Sequence, residues 1–252
     1  MFAETCNHRL PQNSHTPRLD FPVPLDLSEI SRIQKLIFGQ PDDTRFQRTF
    51  QAAAKFYLRA LQTVERDPEV AYLSLITVGE IVANWHQYEP TALLDADVSN
   101  DLELIRNFCP DGARVADRIS GRLRQVRRKF IKCFCSLCDD DFFARSERAE
   151  DFRLSAQSFQ NLLGAAYDLR SKYLHTGKPF GICISPDYSP YETQPGRPST
   201  GDSEFDKIVA KAPTYLGLER LTRYALLRFA QRNGTYVDPQ NDGSIDSGRS
   251  ST

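Results

Sequence analysis

Residues 167–177, Tyr167-Asp168-Leu169-Arg170-Ser171-Lys172-Tyr173-Leu174-His175-Thr176-Gly177, put an arginine and a histidine five positions apart, in a chain with only four histidines. Back toward Phe159, the residues Phe159, Leu163, Ala166, Tyr167, Arg170 and Leu174 recur at spacings of three and four, which predicts an amphipathic helix. Arg170 thus falls where the pattern asks for an apolar side chain. A guanidinium keeps its charge, and desolvating it is costly unless a carboxylate or phosphate compensates, so Arg170 needs an anionic partner. His175 shares its phase with Asp168, Ser171 and Lys172, about 140° around a regular helix from Arg170. Two routes would bring the pair together: a last turn unwound at Thr176-Gly177, or a site completed by a second copy of the chain. The second is the expectation.

The partner for Arg170 is sought in the most apolar helix. From Glu69 to about Gln87, the residues Ala71, Leu75, Val78, Val82 and Trp85 form one stripe, widened by Leu73, Ile76 and Ile81, so this helix is expected at the centre of the molecule. Glu80 sits in its middle between Gly79 and Ile81. A glutamate there is seldom buried alone, which makes it the candidate counter-ion; the alternative is a narrow exposed strip.

Thr44 to about Arg66 is the clearest amphipathic helix, with Phe46, Phe50, Ala53, Tyr57, Leu61 and Val64 in phase and Asp67-Pro68 as its stop. A shorter helix is expected from the capping sequence at Asp26 to Gly39, another around Asp101 to Phe108, and a last one from Thr214 to about Arg232. With no β alternation, the fold class is all-α, a helical bundle with a long irregular loop. Residues 1–26, rich in proline, read as an extended or disordered arm, 27–232 as one helical domain, and 233–252 as a disordered tail.

Arg170 to His175, within "AYDLRSKYLHTGKPF", resembles the Arg-x4-His signature of HEPN domains, and most closely their Apea-like branch. The stretches "RFQRTFQAAAKFYLRAL" from Arg45, "AYLSLITVGEIVAN" from Ala71 and "YLGLERLTRYALLRFA" from Tyr215 resemble that branch in the same order. The resemblance implies a HEPN-like bundle working as a homodimer with the motif helices facing each other, and an acidic residue at the position of Glu80. It further implies metal-independent endoribonuclease activity in defence or stress response, without a cofactor, with a possible antitoxin or effector protein as partner. Arg170, Ser171 and His175 carry the motif. The chemistry suits them: RNA cleaves when its 2′-hydroxyl attacks the adjacent phosphorus, which asks for a proton-transfer group and a fixed cation.

Composition sets no contrary bound. The 252 residues are 40% hydrophobic with a formal net charge of -1, so any footprint for RNA must be local. One local excess exists: Arg114, Arg118, Arg122, Arg124, Arg127, Arg128, Lys129 and Lys132 stand against the single acid Asp117. This run reads either as a phosphate-tracking face or as a solvated surface balanced by downstream acids. Arg124, Arg128 and Lys132, with Lys172 and Lys178 beside the motif, are the expected RNA contacts.

No apolar run approaches a membrane span and the N-terminus lacks a signal-peptide pattern, so a cytoplasmic protein is expected. The six cysteines are then expected to be reduced. Cys133, Cys135 and Cys138, with Cys109 upstream, would supply soft zinc ligands, yet the same run reads as a helix whose Phe130, Phe134, Leu137 and Cys138 fill a core, and packing is the preferred reading. Prolines 186, 190, 195, 198 and 213 mark Phe180 to Pro213 as irregular, a loop placed to gate the site. Three functions share this fold: an endoribonuclease, a non-catalytic nucleotide- or RNA-binding module, and an interaction subunit in which Arg170 and Glu80 are only a structural ion pair.

Overall fold

Around the most apolar helix the chain wraps others, and no strand occurs among the described residues of the computed structural model, which are 34, 36, 44–89, 93–122, 126–144, 146 and 148–235. The α-helices that follow from residue 44 on, among the described residues, are α1 (Thr44–Thr63), α2 (Pro68–Ala83), α3 (Ala96–Phe108), α4 (Gly112–Arg122), α5 (Val126–Leu137), α6 (Asp140–Ala144), α7 (Phe159–Thr176), α8 (Ser203–Lys211) and α9 (Tyr215–Arg232). Of the helix expected before Gly39, only Gln34 and Leu36 are described; both are helical and Leu36 is buried. The N-terminal arm lies outside the described residues, as does the tail beyond Thr235.

The turn between α1 and α2 follows from its residues. Asp67 accepts from the Val70 amide at 3.0 Å and Pro68 opens α2, so one residue ends the first helix and caps the second. α2 then buries Ala71, Tyr72, Ser74, Leu75, Ile76, Val78, Gly79, Val82 and Ala83, on nearly every face, and packs against α1, α5, α7 and α9. Gly79 is what lets α5 come so close. A β-carbon there would lie 2.4 Å from the Phe134 ring and 2.5 Å from that of Phe130, so the two phenylalanines rest directly on the α2 backbone.

α5 contributes Phe130, Cys133, Phe134 and Leu137 to the core, and Cys138 just after it is also buried, so the cysteine run packs as its spacing predicts. Burial pushes the Cys133 thiol up to about 12 and raises that of Cys138 as well, which keeps both protonated and unreactive at neutral pH. α9 closes the bundle with Leu218, Leu221, Ala225 and Phe229. The α3–α4 hairpin is more peripheral, since α3 buries only Leu102.

Residues 180–213 differ from expectation. Phe180, Ile184, Ser185, Ser189 and Glu192 are buried, and the last third of the stretch is helix α8, capped by Asp202 and packed on α7. The segment is a strap fastened to the core rather than an irregular loop without a packed element. Phe180 is held between the rings of Tyr72 and Tyr173, at centroid distances of 5.5 and 5.6 Å, and its amide donates to Glu69 Oε1 at 2.7 Å. These contacts pin the chain immediately after α7.

Candidate functional site

Glu80 follows the glycine on which α5 rests, and it faces α7. Tyr167 and Arg170, three residues apart on α7, both reach it. The Tyr167 hydroxyl donates to Glu80 Oε1 at 2.9 Å, and Arg170 Nη2 lies 3.2 Å from each carboxylate oxygen. The carboxylate partner expected for Arg170 is therefore the one the structure supplies. The Glu80 side chain is 14% exposed and that of Arg170 26%, so the pair lies at the margin of the core. Arg170 is half-buried and not a core residue, and Leu174, expected on the same buried stripe, is exposed. Phe159, Leu163 and Ala166 of that stripe are buried, and Leu162, Ala165 and Leu169 extend the buried face beyond it.

Tyr167 completes the cluster, and sequence reasoning named it only as part of the stripe. Burial pushes its phenol up to about 12, with the neighbouring Glu80 carboxylate adding to the rise and Arg170 and Arg127 opposing it. The phenol thus stays protonated, and remains a donor to Glu80, across the neutral range. Arg170 in turn lies 5.4 Å from the centroid of the Tyr167 ring. Among the described residues only Nη2 of Arg170 has a hydrogen-bond partner, which leaves Nη1 and Nε for an incoming acceptor.

α7 stays helical through Thr176 and ends at Gly177, whose φ of 65° makes the left-handed cap with its amide donating to the Tyr173 carbonyl. No unwinding occurs before His175. His175 is exposed in the last turn and stays about 140° around the helix from Arg170, so one protomer does not bring the two together through this helix. Ser171 is half-buried beside Arg170, and Lys172 is exposed.

The expected RNA contacts disperse. Arg128 is tied to Asp95 and donates to the Leu93 carbonyl at 2.6 Å, while Lys178 bonds Asp202 and sits 4.5 Å over the Phe205 ring. Lys132 is exposed, and Arg124 lies outside the described residues. The described part of the basic run lies on α4 and α5. Among the described residues no group of three or more His, Cys, Asp or Glu is placed to hold a metal ion, and no helix is long and apolar enough to cross a membrane.

Glu80→Ala leaves the Arg170 charge and the Tyr167 hydroxyl without their acceptor. Complete burial would put the loss at about 3–5 kcal/mol; with a quarter of Arg170 in solvent, about 2 kcal/mol is expected. Glu80→Ala with Arg170→Ala should cost less than the sum of the singles in urea unfolding, because the second change removes the stranded charge. Additive losses would show that the two side chains do not interact.

No family model, curated protein or solved structure matches the chain.

Proposed function

We propose that the protein is a metal-independent endoribonuclease of HEPN type, acting as a homodimer in which two α7 helices face each other. The carrying observation is the Glu80–Tyr167–Arg170 cluster, which fixes a guanidinium at the rim of the core on the helix that presents an exposed His175. A cation held from behind by a carboxylate, with Nη1 and Nε lacking a hydrogen-bond partner among the described residues, suits the charge that develops on a phosphorane. Two antiparallel copies of α7 would set Arg170 of each against His175 of the other, which a single regular helix does not do.

The proposed step uses the nucleophile of the substrate. The 2′-oxygen of RNA forms a bond to the adjacent phosphorus while the bond from phosphorus to the 5′-oxygen breaks. An imidazole takes the proton from the 2′-hydroxyl, and a proton is returned to the departing 5′-oxygen. The products are a 2′,3′-cyclic phosphate and a 5′-hydroxyl, and the balance of the step calls for no metal.

A second reading is favoured by one feature. His175 stands about 140° around α7 from Arg170, so within one protomer the guanidinium can hold a phosphate with no imidazole from the same helix turned toward it, which fits a non-catalytic RNA-binding module. Purified protein incubated with mixed RNAs in EDTA separates the two. Cleavage with cyclic-phosphate ends, together with a dimer in light scattering, is expected. Salt-dependent binding without cleavage would transfer the conclusion to the binding module, and neither binding nor cleavage would overturn both readings.

A further inference from the structure

A second guanidinium stands at the junction of α5 and α7. Arg127, in the first turn of α5, donates from Nε to Asp168 Oδ1 at 3.0 Å and from Nη2 to Asp168 Oδ2 at 3.2 Å. This fork-on-carboxylate arrangement fixes the guanidinium plane and leaves Nη1 without a hydrogen-bond partner among the described residues. Gly164, one turn before Asp168, makes the room: a β-carbon there would lie 2.5 Å from Arg127 Nη2. The side chain therefore lies across the backbone of the motif helix.

This arrangement contributes little to stability. Both partners are nearly half exposed, and ion pairs of that kind are worth about 0–1 kcal/mol. What the pair does fix is the position of a cation relative to the site. Arg127 acts on the Tyr167 hydroxyl in the same direction as Arg170, so both guanidinium groups bear on the group that donates to Glu80. Asp168 also shares its helical phase with Ser171 and His175. Arg127 is thus anchored on the His175 side of α7, where Asp168 lies about 10 Å from His175 along a helix rising 1.5 Å per residue.

Resting on the ribonuclease reading, we propose that Arg127 is a second phosphate contact, held across α7 by Asp168 on the His175 side of the helix to grip the backbone of a single-stranded RNA that runs on to His175. Asp168 is then a positioning residue. It aims the guanidinium and tempers its charge, and it does not touch the RNA.

The test measures binding of a mixed-sequence, single-stranded 2′-O-methyl RNA, which lacks the nucleophile and is not cut, over a range of salt concentrations. Each phosphate contact to a single strand contributes about 0.7 to the slope of log K against log salt. Arg127→Ala should lower the slope by about that amount, while Arg223→Ala, which removes an exposed arginine paired with Glu219 on α9, should leave it unchanged. Asp168→Asn should tighten binding, because it frees the guanidinium and removes a negative charge. A structural role for the pair predicts that both variants weaken binding in step with thermal stability, so opposite signs identify the phosphate contact. Wild-type binding with an unchanged slope in Arg127→Ala overturns this inference alone; absence of wild-type binding overturns the ribonuclease reading with it.

Discussion

Glu192→Ala is expected to destabilise the protein by about 3–5 kcal/mol, the scale for breaking a buried ion pair by removing one partner. The Glu192 side chain is 4% exposed and that of Arg220 18%, with Arg220 Nε 2.7 Å from Glu192 Oε1 and Nη2 3.2 Å from Oε2. The same carboxylate accepts from Ser146 Oγ and from the Leu154 amide, each at 2.9 Å, so its loss also orphans a buried backbone donor. Its own amide donates to Phe152 and its carbonyl accepts from Thr214, at 3.0 and 3.1 Å. One residue in the strap therefore joins residues 146–154 to the start of α9. Arg220 is committed further, donating from Nη1 to the Phe142 carbonyl at 3.0 Å with its guanidinium 4.0 Å from the centroid of the Phe142 ring.

For a chain of this size the loss corresponds to a fall in Tm of about 6–20 °C, taking 2–4 °C per kcal/mol. Glu192→Gln keeps the shape and can still accept the Leu154 amide, so it should fall between the wild type and Glu192→Ala. Replacing the pair together, with Glu192→Leu and Arg220→Met, should cost less than the sum of the single changes because no charge is left unpaired. A Glu192→Ala variant within about 1 kcal/mol of the wild type in urea unfolding would show that the strap is fastened by other contacts.

Glu80 and Glu192 differ in how far the sequence announces them. Glu80 interrupts the most apolar helix and Arg170 interrupts an apolar stripe, so each breaks a period and each points to the other. Glu192 breaks nothing. It lies among prolines where no period exists, and Arg220 sits on a helix that also carries Arg223, Arg228 and Arg232. α8 escaped for a similar reason: nine residues with Phe205 and Val209 as its buried pair give too little repetition to outweigh the prolines around them. In the basic run the charges were legible but not every fate was: Arg114 pairs with Asp111 three residues before it, whereas Asp168 lies 41 residues from Arg127. The exposed Leu174 marks another limit. Periodicity finds a face, but the point at which the neighbouring helices stop covering it is a matter of tertiary packing.

His175→Ala and Arg170→Ala are each expected to reduce RNA cleavage by at least about 100-fold, the scale for losing a proton-transfer group or a fixed transition-state cation, or about 2.7 kcal/mol of barrier. Their effects on the fold should diverge. His175 is exposed in the last turn of α7, so His175→Ala should stay within about 1 kcal/mol of the wild type. Arg170→Ala leaves a mostly buried Glu80 with the Tyr167 hydroxyl as its one side-chain partner among the described residues, and should lose stability as well as activity. Arg170→Lys keeps a charge near Glu80 but gives up the planar fork, so it should recover stability more fully than cleavage. Should each protomer act through its neighbour, mixing inactive His175→Ala with inactive Arg170→Ala protein would restore part of the cleavage, because one of the two composite sites in a mixed dimer holds both native side chains. Full cleavage by His175→Ala alone would remove this residue from the chemistry and leave Arg170 with the role of holding phosphate.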